Sequence, residues 1–272
     1  AICAANNIQY WLSYGSLVGT LSRSGFIPWD DDIDICMLRS DVDKLTAALI
    51  DDPEYQITLV YDWFVKCRQV RFCSTNSLIP CFVHISIYDR AAENSKRAND
   101  QLRQLRIELM DFFDKNEHEF SFWKDNPWMF HPDSGLSVQC GDVDLEAQRT
   151  VVSSAEIDLV QSVFDSFNEK AHALGLLTDE PHGDFAYAID NVFDAPKRKI
   201  IWDRNDILPV RKHPFGGFSF SVPAKAEKVA DACYPGWPYM PMDICGHDHF
   251  AKDVLSDPDV RSAMAKFVVE CN

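Results

Sequence analysis

The chain has 272 residues, enough for one large domain or for one domain with a sizeable insertion. Its 26 basic and 42 acidic side chains give a formal charge of −16, which repels nucleic acid and argues against a polymer-binding role. The sequence contains no run of about eighteen apolar residues, the length that would predict a membrane span. Nine cysteines without a CxxC pair predict free thiols in a reducing, cytoplasmic protein.

The first third of the chain is predicted to alternate short strands with helices. A Gly-Ser start at Gly15 and a stop near Gly25 predict a helix. Ser40 and Asp43 are spaced like a capping box, which predicts the start of a second helix. Because the opening residues read as the interior of a domain, we expect the natural chain to begin upstream of Ala1. Predicted strands lie at 10–12, 32–38, 55–61, 64–73 and 79–88.

Two long helices are predicted in the rest of the chain. The first, at 93–119, carries an apolar stripe, and the second begins at a Ser153–Glu156 capping box and stops at Gly175. The whole pattern predicts an α+β fold with a mixed sheet flanked by helices. We divide it into a catalytic core at 1–92, a helical insertion and lid at 93–150, and the C-terminal part of the same domain at 151–272. The stripe of the first helix comprises Leu102, Leu105, Leu109 and Phe112.

The run FIPWDDDIDI contains the strongest chemical signal in the sequence. On a strand, Asp30, Asp32 and Asp34 would share one face, and Ile33 and Ile35 would pack on the other. Three carboxylates on one face repel one another unless a cation lies between them, and Mg²⁺ or Mn²⁺ accepts such ligands together with substrate phosphates. A solvent-facing acidic turn is the alternative, but it would not need the apolar residues that frame this run.

A Gly-Ser turn precedes the acidic run by about fifteen residues. Gly15 and Ser16 open the predicted helix, where backbone N–H groups and a hydroxyl can contact an anion. A Gly-Ser helix start followed by an Asp-x-Asp strand is the layout of nucleotidyltransferase-type sites. The sequence therefore predicts a nucleotidyltransferase-like core that binds a phosphorylated substrate.

The run YWLSYGSLVGTLSRSGFIPWDDDIDI resembles the signature of the LicD family, which also includes fukutin and fukutin-related protein. A second segment, LPVRKHPFGGFSFSVP at 208–223, resembles a later part of the family pattern. The resemblance implies transfer of a phospho-substituent, phosphocholine or a polyol phosphate, from a CDP-linked donor to a hydroxyl of a cell-surface glycan or glycolipid. A lipid-linked acceptor would bring the protein close to a membrane surface.

The resemblance also implies roles for particular residues. Asp32 and Asp34 match the metal-binding pair, with Asp30 beside them, and the residues of the phosphate-side turn and helix match as well. The family often has a further Asp on a later strand, and here His84 or Ser86 stands in its place. We take His84 as the metal ligand or proton acceptor. The matching residues of the turn and helix are Gly15, Ser16, Gly19, Arg23 and Gly25.

Several other residues are weaker candidates. Arg23 follows the Gly-Ser helix and could hold the donor pyrophosphate, and Lys66 and Arg68 on one hairpin could meet its phosphates. An exposed hairpin face is the alternative for Lys66 and Arg68. Cys245, His247 and His249 could bind a transition metal, although an ordinary surface loop explains them too. Trp123, Trp128 and Phe130 could enclose a trimethylammonium group, or simply pack a lid.

The sequence is compatible with three functions. The first is a metal-dependent phosphotransferase that uses Mg²⁺ or Mn²⁺ and a CDP-linked alcohol. The second is a nucleotidyltransferase that moves NMP to a small acceptor, for which the site geometry would be nearly the same. The third is a non-catalytic nucleotide- or glycan-binding homologue, which the replacement of the later Asp by His84 or Ser86 would favour.

Overall fold

The computed structural model of the chain describes residues 1–28, 30, 32–76, 78–125, 128–130, 153–190, 199–239 and 256–270. The helices are α1 (Ile2–Ala5), α2 (Tyr14–Arg23), α3 (Arg39–Ala48), α4 (Lys96–Lys115), α5 (Ser121–Asp125), α6 (Ser154–Ala173), α7 (Arg204–Ile207), α8 (Ala226–Cys233) and α9 (Pro258–Glu270). The strands are β1 (Trp11–Leu12), β2 (Ile33–Leu38), β3 (Tyr55–Asp62), β4 (Cys67–Ser74), β5 (Phe82–Ala91), β6 (Trp128–Phe130), β7 (Asp184–Tyr187), β8 (Ile201–Trp202), β9 (Arg211–Phe215) and β10 (Phe218–Val222).

A mixed sheet forms the centre of the fold, with the strand order β1-β2-β5-β4-β3-β6. Strands β2 and β5 run parallel, β7 pairs with the C-terminal part of β5, and β8 pairs with β7. Strands β9 and β10 form a separate hairpin, in which Gly216 has a φ of 57°, the left-handed conformation that a two-residue hairpin turn requires. The predicted α+β class with a mixed sheet is confirmed.

One apolar core joins residues from all three predicted parts of the chain. It includes Trp11 from β1, Phe113 from α4 and Phe185 from β7, each at most 2% exposed. Residues 131–150 of the predicted insertion and lid lie outside the described residues. Within the described part of the chain, no helix is both long enough and apolar enough to cross a bilayer.

The two predicted capping boxes have different outcomes. At the start of α6, the Ser153 hydroxyl accepts from the Glu156 backbone N–H at 3.3 Å, and the Glu156 carboxylate accepts from the Ser153 N–H at 2.8 Å. The capping box predicted at Ser40 and Asp43 is wrong, because α3 begins directly at the end of β2 and leaves Ser40 inside its first turn.

The apolar stripe of α4 continues differently from the prediction. Leu102, Leu105 and Leu109 are buried as expected, but Phe113 is 0% exposed and Phe112 is 36% exposed. Steps of three and of four residues both keep a helical stripe on one face. The spacing alone therefore does not decide whether Phe112 or Phe113 continues the buried stripe. Here the step of four places Phe113 in the core, where its ring packs against that of Phe120 with the ring centroids 5.0 Å apart.

An ion network joins the start of α3, β4 and β5 to the segment after β7. Arg39 donates to both carboxylate oxygens of Asp89 at 2.7 Å and to Asp190 at 2.5 Å. Arg68 pairs with the other oxygen of Asp190 and donates to Gln161 of α6. Burial acts to raise the pKa of Asp190, but the charges of Arg68 and Arg39 lower it to about 2, from an ordinary value of 3.8.

We expect this network to make the fold sensitive to acid. Because the folded pKa of Asp190 lies below the unfolded value, its stabilisation is complete above pH 4 and is lost as the pH falls through about 2. Between pH 5 and pH 2.5 the free energy of unfolding should fall by about 1.5 kcal/mol more in the unmodified protein than in Asp190→Asn, which has no carboxyl to titrate. Urea unfolding at the two pH values measures this difference, and equal acid losses would contradict it.

Candidate active site

Polar side chains from three neighbouring strands lie in one row on a single face of the sheet. Asp34 on β2 is directly beside His84 on β5, and His84 is directly beside Arg71 on β4. Paired residues share a face and successive residues alternate, so the next row points to the opposite face. That next row is apolar and fully within the core, and it consists of Ile35, Ile85 and Val70.

Asp34 and His84 are in direct contact. The Nδ1 atom of His84 lies 3.1 Å from Oδ1 of Asp34, and their side chains are 24% and 15% exposed. Nε2 of His84 is buried and has no hydrogen-bond partner among the described residues. An imidazole that donates from Nδ1 to Asp34 keeps a lone pair on Nε2, which can accept a proton or bind a metal ion.

The start of α2 is bonded to the backbone of Asp34. The Ser16 hydroxyl accepts from the Asp34 N–H at 2.9 Å, and the Ser13 N–H donates to the Asp34 carbonyl at 3.1 Å. Tyr14 enters the helix with a φ of 46°, a left-handed conformation that residues other than glycine rarely adopt. Gly15 and Ser16 are therefore held beside Asp34, as the predicted layout requires.

The aspartates do not all project from one strand. Strand β2 begins at Ile33, so the alternation argument holds for Asp34 alone, and Asp30 and Asp32 lie in the loop that follows the Pro28 turn. A Cβ atom on Gly15 would lie 2.3 Å from Oδ2 of Asp30, so this carboxylate packs directly on the glycine at the positive end of α2. Asp32 is 7% exposed at the entrance to the strand.

The loop that carries Asp30 and Asp32 crosses α2 at very short range. A Cβ atom on Gly19 would lie 2.3 Å from the carbonyl oxygen of Gly25, so only glycine fits at this crossing. Phe26 packs edge-on against Phe215 of the β9–β10 hairpin, with ring centroids 4.9 Å apart. The two segments that carry the resemblance, near each end of the chain, therefore meet beside the site.

Three predicted phosphate contacts lie elsewhere. Arg23 is exposed in the last turn of α2, about 12 Å along the helix from Gly15. Lys66 is 6% exposed and its ammonium group contacts the Trp63 carbonyl at 2.8 Å and Asp114 at 3.1 Å. Arg68 is three residues from Arg71, so strand alternation places it on the opposite face of the sheet, in the network with Asp190.

Arg71 is the residue that the sequence analysis did not single out. It is 6% exposed, its Nη2 donates to Gln69 at 2.9 Å, and its guanidinium lies 4.1 Å from the centre of the Phe82 ring. Alternation along β4 separates Arg71 from Arg68, but only the pairing of β4 with β5 reveals which of them shares a face with His84. That register is a long-range property of the fold.

The remaining candidates have different positions. Ser86 lies beside Cys36, two residues beyond His84, and is 1% exposed. Trp123 is 0% exposed and donates to the Tyr61 carbonyl at 3.0 Å, so it packs in the core. The side chains of Trp128 and Phe130, and the whole of the Cys245–His249 segment, lie outside the described residues.

The described side chains fit one mode of metal binding. Among them, no group of three or more His, Cys, Asp and Glu is arranged to hold a metal ion. Mg²⁺, however, is usually held by one or two carboxylates, with waters and substrate phosphates in the other positions. Asp34 and Asp32 could supply such carboxylates, and the imidazole of His84, with its unpartnered Nε2, lies against Asp34.

The contact between Gly15 and Asp30 gives a prediction with a matched control. Gly15→Ala favours the helix by about 1 kcal/mol in propensity, but its methyl group must displace the Asp30 carboxylate. We expect activity to fall about tenfold or more while the melting temperature stays the same or rises. Gly217→Ala, in the turn between β9 and β10, meets nothing within 4 Å and should leave activity unchanged. Full activity in Gly15→Ala, measured as transfer from a CDP-linked donor, would show that the position of Asp30 is unimportant.

Comparison with known proteins adds an independent line of evidence. The family described as LicD/FKTN/FKRP, nucleotidyltransferase domain, matches residues 7–139. The lipopolysaccharide cholinephosphotransferase LicD of Haemophilus influenzae is 29% identical over 108 residues, which are 35% of this chain and 41% of that protein. An uncharacterized protein of Rickettsia prowazekii is 33% identical over 79 residues, 29% of this chain and 28% of that protein.

The chain spans less than half the length of these curated relatives. The matched region nevertheless contains α2, the aspartate loop, β2 and the strand that carries His84. The chain therefore belongs to the LicD family, and its core is a nucleotidyltransferase-like domain.

Proposed function

We propose that the protein is a metal-dependent phosphotransferase. It would move phosphocholine or a polyol phosphate from a CDP-linked donor to a hydroxyl of a cell-surface glycan or glycolipid. The observation that carries the proposal is the contact of Asp34 with His84 beside the start of α2, with the buried Nε2 of His84 left without a partner among the described residues. A buried polar atom of this kind is uncommon and calls for a functional explanation.

The activity for which the Haemophilus influenzae relative is named supports this proposal. That protein is a lipopolysaccharide cholinephosphotransferase, and this chain is similar to it over 108 residues. An overall charge of −16 makes a bound cation the natural partner for an anionic donor at a carboxylate site. Asp32 and Asp34 would hold Mg²⁺ or Mn²⁺, and the bound ion would supply charge neutralisation at the donor phosphates.

The protein side chains have defined roles in the proposed reaction. Ser16 and Gly15 fix the backbone of the site against Asp34 and Asp30. The acceptor hydroxyl attacks the phosphorus that carries the substituent, the bond to the bridging oxygen breaks, and CMP leaves. Nε2 of His84 takes the proton of the attacking hydroxyl, while Asp34 orients the imidazole through Nδ1.

Product analysis tests this function against nucleotidyl transfer. The protein is incubated with CDP-choline, CDP-ribitol, CDP-glycerol or CTP, each with Mg²⁺ or Mn²⁺ and a glycan acceptor. Release of CMP from a CDP-alcohol, lost with EDTA, is the expected result. Release of pyrophosphate from CTP would overturn the proposal in favour of nucleotidyl transfer. Metal-dependent binding of a CDP-alcohol without any product would identify a binding module.

A further inference from the structure

Three lysines surround one buried carboxylate where α7 meets α8. Asp206 is 1% exposed, and its two oxygens accept from Lys225 at 2.8 Å and from Lys228 at 2.7 Å. The ammonium group of Lys199 lies 3.9 Å from the same carboxylate. The lysine side chains are 35% to 55% exposed, so their charged ends remain accessible to solvent. We call Lys199, Lys225 and Lys228 the lysine cluster.

The cluster carries an excess of positive charge. Burial acts to raise the pKa of Asp206, but hydrogen bonds from Lys225 and Lys228 lower it, so this carboxyl is ionised at neutral pH. Asp203 is the other acidic group whose charge acts on Lys225. Glu227 forms an ion pair with Arg211 at 3.2 Å. Among the described residues, three ammonium groups therefore surround the single carboxylate of Asp206, in a chain whose overall charge is −16.

A purely structural role explains only part of this arrangement. Lys225 and Lys228 already satisfy both oxygens of Asp206 and connect α8 to α7. Lys199 adds a third like charge, too far from Asp206 for a hydrogen bond, and its ammonium group lies 4.8 Å from the centre of the Trp202 ring. Holding three ammonium groups together costs repulsion and side-chain entropy, and an anion between them would offset that cost.

The cluster lies next to the start of α2. Lys199 and Tyr14 line the same cavity of about 20 Å³, which has room for one water molecule. Tyr14 is followed directly by Gly15, which packs on Asp30. The other side chains that line the cavity are Tyr88, Tyr187, Trp202, Ala232 and Cys233.

We propose that the lysine cluster is an anion subsite that binds a phosphate or diphosphate group. The ammonium groups of Lys199, Lys225 and Lys228 are its ligands, and the buried carboxylate of Asp206 holds them in place. Only the source of the phosphate rests on the proposed function. It belongs either to the nucleotide donor or to a phosphorylated acceptor, and these two sources share the same chemistry.

Binding of inorganic pyrophosphate, measured by calorimetry at low salt in EDTA, tests the subsite without any divalent ion. Lys199→Gln keeps both hydrogen bonds of Asp206, so the fold should survive, and it should weaken binding about tenfold. Lys228→Gln, with one hydrogen bond fewer, should weaken it at least as much. Lys96→Gln makes the same charge change at a side chain that is 92% exposed, and it should bind normally. No binding by the unmodified protein, or equal losses in Lys96→Gln and Lys199→Gln, would overturn the proposal.

Two further binding measurements test the subsite independently of the proposed transfer activity. Asp34→Asn should keep its pyrophosphate affinity in EDTA even if it has lost activity. Loss of that affinity would contradict the proposal that the lysine cluster binds phosphate independently of Asp34. Competition by CDP-choline would support the subsite and assign its phosphate to the donor. Simultaneous binding of CDP-choline and pyrophosphate would support it and assign the phosphate to the acceptor.

Discussion

Replacing Asp34 by Asn should lower the rate of phospho-substituent transfer by about a thousandfold and leave the fold intact. The amide keeps the shape of the carboxylate and can still accept from His84, but it loses the negative charge that would hold the metal ion. The backbone of Asp34, which contacts Ser13 and Ser16, is unchanged. Single-turnover transfer from CDP-choline measures the rate, and thermal unfolding checks the fold.

A matched control separates this effect from a general loss of acidic charge. Asp111→Asn makes the same change at an exposed residue of α4 that pairs with Lys115 at 3.2 Å. It should keep full activity, whereas Asp32→Asn should behave like Asp34→Asn. Transfer by Asp34→Asn at the unmodified rate would mean that the carboxylate is not part of the chemistry.

Replacing Asp190 by Asn should destabilise the protein by about 3–5 kcal/mol, the largest stability effect that we expect. The change removes the negative charge that Arg39 and Arg68 share. The Arg68 side chain is only 12% exposed, so its charge would stay largely buried with much less compensation. The free energy of unfolding in urea measures the loss.

An exposed ion pair provides the comparison. Asp100 pairs with Lys96 at 3.0 Å, and their side chains are 57% and 92% exposed. Asp100→Asn should therefore change stability by about 0.5 kcal/mol or less. If the two variants unfold at the same urea concentration, the buried network does not contribute as its geometry implies.

Local signals in the sequence predicted much of the fold and the centre of the site. The capping box at Ser153 and Glu156 acts through neighbours in the chain, and the structure has it as predicted. Gly15 and Ser16 were expected beside the aspartates, and the hydrogen bond from the Asp34 N–H to Ser16 places them there. These features need only a few consecutive residues to be recognisable.

Features that depend on strand pairing were not accessible from the sequence. The sequence favoured Lys66 and Arg68 as the phosphate contacts of the hairpin, yet the register of β4 with β5 places Arg71 beside His84 and Arg68 on the opposite face. The same limit applies to the choice between His84 and Ser86, which only the pairing of β5 with β2 resolves geometrically. The lysine cluster likewise forms from residues that come together only through the packing of α7 and α8.

The most direct test of the account is the metal dependence of donor binding. Calorimetry with CDP-choline should give strong binding with Mg²⁺ or Mn²⁺ and much weaker binding with EDTA. Asp34→Asn should lose this metal-dependent gain, and Asp111→Asn should keep it. Equal affinity with and without the metal ion, or an unchanged gain in Asp34→Asn, would contradict a carboxylate-held cation at the centre of the site.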